Sequence, residues 1–512
     1  MTDTNLSGHG LLGTREQLFV RLLDPNPRPF DNAKLDALAA MMIIDDAGVS
    51  DGADAEENLA VPAGYTYFGQ FIDHDLTLDT TSSLSDPTAA ASSLRTPALD
   101  LDCVYGSGPD DQPYLYGADG ATLLPADPLA TDLVRLPAGN RDYGRAVIGD
   151  KRNDENSIVC QIQLAMIKFH NAVVRQLKSQ GVAKRDLFGR ARNEVTWTYQ
   201  RIVLEDYLLR ITNPLTYSFF TQTRAETGDA AYALYKKDLR NALPKEFVAA
   251  AYRFGHSMVR TGYRLNVNTK KMVFDGSDLT TDSLVGFQPL PFEHLIDDWG
   301  RFFTPDAMIP EQNGPPPVDN NPAVRLQWAY KIDPSLVLPL KNLPPSIADG
   351  ASLAALNLKR ANLPTYNIAT GQAFAAALKE TPLSGDDLMV RQKVVIQGKP
   401  DSFTFASISA ADPRFLTDTP LWFYILAEAQ QPTLDFWRAQ NKRNLVDADF
   451  MSGPASRSQL GPVGGRILLE VFNGVIDDDD RSFRRHPDAK VWQPMIGKRM
   501  TFWDLLRFSG QV

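Results

Sequence analysis

Cysteine is scarce in this chain: two residues of 512, Cys103 and Cys160. They cannot build a disulfide framework and lack metal-ligand spacing, so thiol chemistry is not expected at the centre of function. Clustered Lys and Arg are missing too, and 52 basic against 62 acidic side chains leave a net charge of −10. Phosphate backbones and anionic lipid surfaces need the opposite, so nucleic acid is not an expected partner. No run of about eighteen apolar residues occurs, and the opening MTDTNLSGHG has neither the basic start nor the apolar stretch of a signal peptide. These absences predict no membrane span and no classical export address, which leaves a cytoplasmic chain or one exported by a non-classical route. Oligomeric state is not legible.

What is present is an ordinary globular composition, 43 % apolar and 22 % charged. Apolar residues recur at helical spacing over Gln161 to Leu177, Glu194 to Ile211, Phe247 to Arg260, Pro420 to Gln430 and Arg466 to Ile476, whereas strand-like alternation is short and scattered. The pattern predicts a mainly α fold with little β: one large domain over 1–512, with an N-terminal extension over 1–30 and a core over about 60–480. Ser-, Thr- and Pro-rich segments at Thr80 to Arg95, Pro310 to Pro322 and Asn342 to Ser346 read as long loops. The acidic run Asp477 to Asp480 reads as a solvated turn after a helix.

Six histidines occur. His74 stands in YFGQFIDHDLTLD between Asp73 and Asp75, and on a helix Gln70 shares its face, so a proton acceptor and a hydrogen-bond partner could meet one ligand. A capped helix with a surface acidic cluster fits the same spacing. Neighbouring aspartates raise an imidazole's pKa, so a neutral base here needs compensation. His256, in AYRFGHSMVRTGYRLN, could be an axial iron ligand on an apolar helix, or a satisfied core histidine, with Arg253 one turn back. In GDKRNDENSIVCQ, Asp150, Asn153 and Asp154 read as cap residues of the following helix, and Arg152 and Glu155 could pair across a turn. His170 reads as buried and structural; His9, His294 and His486 read as surface residues.

The joint occurrence of these stretches in this order resembles the animal-type haem peroxidases, the superfamily that holds myeloperoxidase, bacterial and peroxinectin-like relatives, cyclooxygenases and fatty-acid dioxygenases. GQFIDHD, Gly69 to Asp75, is similar to that family's distal motif. The resemblance implies His74 as distal base, Gln70 as distal glutamine, Asp73 as a carboxylate able to esterify the haem and Asp75 as a calcium ligand. TPALDLDCVYGS resembles the calcium loop, which implies Thr96, the Ala98 carbonyl, Asp100 and Asp102 as further calcium ligands. GDKRNDEN resembles the catalytic-arginine segment, implying Arg152 as catalytic arginine and Glu155 as the second ester-forming carboxylate. Asn156 stands where myeloperoxidase carries a sulfonium-forming methionine, so that link cannot form. RFGHS resembles the proximal motif, implying His256 as axial ligand and Arg253 beside a propionate. LGPVGGRILLEVFNGVI, Leu460 to Ile476, resembles bacterial members. For the group that accepts the proximal histidine's proton, Asp418 is the only candidate the sequence offers.

The resemblance implies haem b and calcium as cofactors. It implies an oxidoreductase that reduces hydrogen peroxide through a ferryl haem, oxidises a small phenolic, aromatic or halide donor, and serves in the response to oxidative stress. Arg152, read as free of carboxylate partners in the pocket, together with calcium at Asp75, would hold His74 neutral. A fatty-acid dioxygenase is the alternative. Its radical-forming tyrosine stands three residues before the proximal histidine, a position held here by Arg253, and Tyr252 is expected to face elsewhere. A haem-free calcium-binding or adhesive scaffold is a third reading, which intact His74, Arg152 and His256 oppose.

Overall fold

The computed structural model describes residues 17–44, 54–77, 92–93, 95–275, 282–305, 321, 324–348, 350–397 and 401–512. The loops expected at 80–91 and 310–320, and His9, lie outside the described residues.

Helix outweighs strand by 49 % to 10 %, and among the described residues no sheet closes, so the fold is mainly α as the periodicity predicts. The centre is the helix Ser157–Ser179, started by Asn156, whose side chain accepts from the Ile158 and Val159 N–H groups. It is apolar nearly all round and long enough to cross a bilayer, yet 94 % of its apolar stretch is buried inside the protein, which marks a core helix. Helix Gly64–Leu76 packs against it, as does Lys184–Ile202 on another side. The close approach depends on small residues. A Cβ on Gly64 would stand 2.4 Å from the Phe303 ring, and one on Gly69 would stand 2.6 Å from the Tyr207 hydroxyl.

Two of the expected helices are interrupted. The helix expected over Glu194 to Ile211 widens into a π-helical turn at Val203–Tyr207 before resuming at Leu208–Ile211. Such turns shift the register of the inward face and recur at functional sites; here the shift brings Tyr207 against Gly69. The stretch Phe247 to Arg260 is a short helix, Lys245–Ala249, followed by a 3₁₀ helix, Ala251–Met258. Helices Leu421–Ala429 and Pro462–Asp478 lie where the periodicity puts them.

Strands are minor. Met389–Val394, Ser402–Ser407 and Leu445–Val446 form an antiparallel three-stranded sheet over a small separate apolar cluster that includes Phe403, Trp437 and Phe450. Glu57–Pro62 pairs with Trp328–Tyr330. A continuous core runs from Phe19 to Leu506; within the stretch 1–30, Phe19 is buried and Leu22 and Leu23 donate to the buried Glu246 carboxylate at 3.1 and 3.4 Å. The acidic run is only in part a solvated turn, with Asp478 and Asp480 exposed and Asp477 and Asp479 half-buried. Asp477 and Asp478 end a helix, and Asp477, Asp479 and Asp480 pair with arginines, because Arg224, Arg481, Arg484 and Arg485 supply the charge a helix C-terminus favours. His294, expected at the surface, is fully buried with its Nδ1 2.8 Å from the Ser157 hydroxyl. His170 is buried as expected, held between the Tyr105 hydroxyl and the Ala121 carbonyl.

Candidate active site

Segments far apart in sequence meet around one cavity of about 330 Å³, within the range of small-molecule sites. Helix Gly64–Leu76 contributes Gln70, Asp73 and His74; the turn after Asp150 contributes Arg152 and Glu155; the 3₁₀ helix contributes Tyr252, Arg253 and His256. Phe19 and the stretch from Leu340 to Arg360 complete the wall. All seven cavity residues named from the sequence as catalytic or cofactor-binding therefore face one space.

On the distal wall, Gln70 and His74 share a helix face, as their spacing predicts. His74 is 4 % exposed. Its Nδ1 lies 2.7 Å from the Asn153 Oδ1, and its Nε2 lies 3.9 Å from Glu155. Burial, with the Arg152 guanidinium beside it, brings the imidazole pKa down to about 4 against the opposing pull of Asp150 and Asp73, so His74 is a neutral base at neutral pH. Arg152 is not free of carboxylates. Asp150 caps the turn by accepting from the Arg152 N–H and also binds the guanidinium at 3.1 and 2.8 Å, while Arg152 donates further to the His74 and Thr77 carbonyls. The reason is local: a residue that caps a 3₁₀ turn lies within reach of the side chain two positions on. Burial is thus the larger cause of the neutral His74, and Arg152 the smaller. Gln70 donates to Glu155 and accepts from Asn156 at 3.1 Å. Burial pushes the Glu155 carboxyl up to about 7, with Asp150 and Asp73 adding to the effect and Arg152 opposing it.

On the proximal wall, His256 faces the cavity and its Nδ1 lies 2.7 Å from the Asn357 carboxamide nitrogen, on helix Leu353–Asn362. The Asn357 Oδ1 is buried without a hydrogen-bond partner. With the carboxamide turned end for end, Nδ1–H would donate to Oδ1 and the Nε2 lone pair would face the cavity, the amide nitrogen then taking the partnerless position. Burial, Arg253 and Arg360 bring the His256 pKa down to about 3. Asp418 is not the proximal partner; it binds Arg28 and Arg414 instead, an exposed and a half-buried guanidinium that lie nearer to it than His256 does. Asn357 and Arg360 share one helix face three residues apart and are the residues sequence reasoning missed, since nothing in LNLKRAN marks them. Tyr252 also differs from expectation. In a 3₁₀ helix of three residues per turn it sits about 120° round from His256, and its long side chain lines the cavity and donates to the Gly69 carbonyl at 3.1 Å.

Beside the distal helix, Asp75 is fully buried with no hydrogen bond of good geometry, although the Leu101 N–H, the Cys103 thiol and the Tyr199 hydroxyl lie close to it, and the Asp100 Oδ1 is unpartnered. Burial and the nearby Asp100 and Asp102 push the Asp75 carboxyl well above its ordinary range, and Asp102 goes up to about 7 for the same reasons. Leu101 sits at φ 61°, a left-handed conformation that costs a leucine energy and holds the loop around Asp75. These orphaned oxygens suit a hard cation. The Thr96 hydroxyl already donates to Asp100 at 3.2 Å, Arg481 binds Asp100 at 2.9 Å and Arg95 and Arg192 lie 3.9 Å from Asp102. Among the described residues no three acidic, His or Cys side chains are drawn close enough to form a metal centre.

Residues 85–290 match the family model described as animal haem peroxidase. That segment holds Arg152, His256 and the Thr96 to Asp102 loop and stops short of the Gly69 to Asp75 motif. A stretch of 118 residues is 25 % identical to dual oxidase of Drosophila melanogaster, covering 23 % of this chain and 7 % of that protein. The fold is similar to peroxidase A of Dictyostelium discoideum, with a TM-score of 0.63 at 15 % identity over 97 % of this chain and 94 % of that one. Fatty acid alpha-dioxygenase of Oryza sativa follows, with a TM-score of 0.53 at 13 % identity over 97 % and 79 %.

Proposed function

We propose that this chain, which carries an animal haem peroxidase segment and a peroxidase-like fold, is a haem-dependent oxidoreductase that reduces hydrogen peroxide and oxidises a small phenolic, aromatic or halide donor. The observation that carries the reading is the pair of neutral imidazoles, buried His74 and half-buried His256, on the wall of one cavity together with Arg152, Arg253 and Arg360.

The residues fit a haem. His256 would ligate iron through Nε2, with Asn357 accepting its Nδ1 proton; Arg253 and Arg360 would meet the porphyrin carboxylates; Asp73 and Glu155 have the carboxyls needed for ester links. When bound, the haem supplies the redox centre at which the peroxide O–O bond is cleaved. His74 Nε2 takes the proton from one peroxide oxygen and returns it to the other, which makes water the leaving group. Arg152, tethered by Asp150 and the two carbonyls, stabilises the negative charge on the departing oxygen before that proton arrives. Gln70, fixed between Glu155 and Asn156, orders the polar floor next to His74. Calcium at Asp75, with Asp100, Asp102, Thr96 and the Ala98 carbonyl as the other donors, would supply the charge that the orphaned carboxylate oxygens lack.

The test is the optical spectrum of the purified chain and its turnover of a phenolic donor by hydrogen peroxide. A Soret band lost in His256→Ala, and turnover lost in His74→Leu with the band retained, are the expected results; absence of haem from the native chain overturns the reading. Tyr252 in the cavity wall supports a second reading, a fatty-acid dioxygenase. Oxygen uptake on addition of a fatty acid, abolished in Tyr252→Phe, would establish it over the first.

A further inference from the structure

A base is useful only if its lone pair faces the substrate, and an imidazole can carry its single proton on either nitrogen. From the cavity inward, His74 Nδ1 meets the Asn153 Oδ1 at 2.7 Å, the Asn153 Nδ2 meets the Gln163 Oε1 at 2.8 Å, and the Gln163 Nε2 meets the Cys103 backbone carbonyl at 3.5 Å. Asn153 and Gln163 are 0 % and 1 % exposed, so water does not compete for these bonds.

The direction of this chain is fixed at its far end. A backbone carbonyl can only accept, so the Gln163 amide must turn its nitrogen to Cys103 and its oxygen to Asn153. Asn153 must then present its nitrogen to Gln163 and its oxygen to His74. An amide oxygen can only accept, so the proton of His74 is held on Nδ1. From this geometry we infer that Asn153, oriented by Gln163, is a positioning residue that locks His74 in the Nδ1–H tautomer and keeps Nε2 bare toward the cavity. The assignment of His74 as the proton-transfer base rests on the function proposed above; the tautomer lock itself does not.

By sequence Asn153 reads only as a helix cap, and Gln163 carries no signal, because the relay joins three segments that are separate in sequence. The relay also ends in the loop that holds Asp100 and Asp102, so a shift of that loop is passed to the distal base through two amides.

The experiment uses the full chain labelled with ¹⁵N at histidine, in the ferrous carbon-monoxide form where haem is present and as purified where it is not, with His74 assigned by the loss of its signals in His74→Leu. The expected two-bond proton–nitrogen spectrum shows a protonated Nδ1 and an unprotonated Nε2 at His74. In Asn153→Leu and, less completely, Gln163→Leu the two nitrogens move toward averaged values, while Asn153→Asp, which keeps the acceptor, restores the split. In the same variants kcat/KM for hydrogen peroxide falls roughly 10- to 100-fold for Asn153→Leu, with KM for the donor unchanged. An Nε2-protonated His74 in the native chain, or unaltered nitrogen signals in Asn153→Leu, overturns the inference. Failure of the peroxidase reading alone would appear as absent turnover with the nitrogen split intact.

Discussion

The two walls of the cavity each present an imidazole backed by a side-chain amide, and they differ in how firmly the amide is oriented. The distal amide, Asn153, is the middle of a relay whose polarity is imposed by a backbone carbonyl. The proximal amide, Asn357, touches only His256 and leaves its oxygen unpartnered. Charge differs as well. His74 sits among Arg152, Asp150, Asp73 and Glu155, so cation and carboxylates offset one another, whereas the charges acting on His256 are those of Arg253 and Arg360. On the function proposed above, the distal wall is the one preorganised for proton transfer, where a misplaced proton would stop the reaction. The proximal wall is left incomplete in a way that a metal on Nε2 and two propionates would complete.

Substitutions can break this contrast in graded ways. The largest effect is expected from His256→Ala, which should abolish both the Soret band and turnover, as measured by absorbance and peroxide consumption. His74→Leu should keep the band and slow the reaction with peroxide by about 10²- to 10⁴-fold in stopped-flow measurements; Arg152→Leu should do the same by about 10²- to 10³-fold. The paired variants sharpen the comparison: Asn357→Leu should weaken haem retention by roughly 10- to 100-fold and raise the reduction potential, read by haem transfer to an acceptor globin and by redox titration. Asn153→Leu should leave both unchanged. The smallest effect concerns pH. The Glu155 carboxyl goes from an ordinary 4.5 up to about 7 in the fold, so across that window the haem-free folded chain keeps a proton that the unfolded chain has released. Stability should therefore fall as pH rises from about 4.5 to 7, with up to ~2 kcal/mol of the slope attributable to this group. Glu155→Gln should flatten that part of the curve in denaturant titrations.

The distal half was legible because its chemistry is local. Gln70 and His74 are four apart on one helix, and Arg152 and Glu155 bracket one turn, so spacing translates directly into a shared face. The proximal partner was not legible, because Asn357 reaches His256 across 101 residues from a helix with no distinctive residue pattern; Asp418 had only its place before an apolar helix to recommend it. The Arg152–Asp150 pairing was within reach of the sequence, but Asp150 was read only as a cap, and the same carboxylate performs both tasks. Tyr252 lines the cavity through the reach of its side chain and not through helix phase, which in the tighter 3₁₀ winding turns it further from His256, and the Val203–Tyr207 turn is not legible because a π-helical insertion leaves the apolar spacing on either side intact. The acidic loop is legible by its resemblance, but composition does not tell that Arg192 and, from the far end of the chain, Arg481 approach the same carboxylates.

The cavity wall runs from Phe19 to Arg360, and this sets the order of events at the ribosome. A nascent polypeptide that has exposed its distal motif still lacks Arg253, His256 and Asn357, and so has nothing with which to grip a porphyrin. If the cavity holds haem as proposed, loading awaits synthesis of most of the molecule, and an excised fragment limited to 85–290, lacking His74 at one end and Asn357 at the other, would be a poor vessel for the prosthetic group however well it folded.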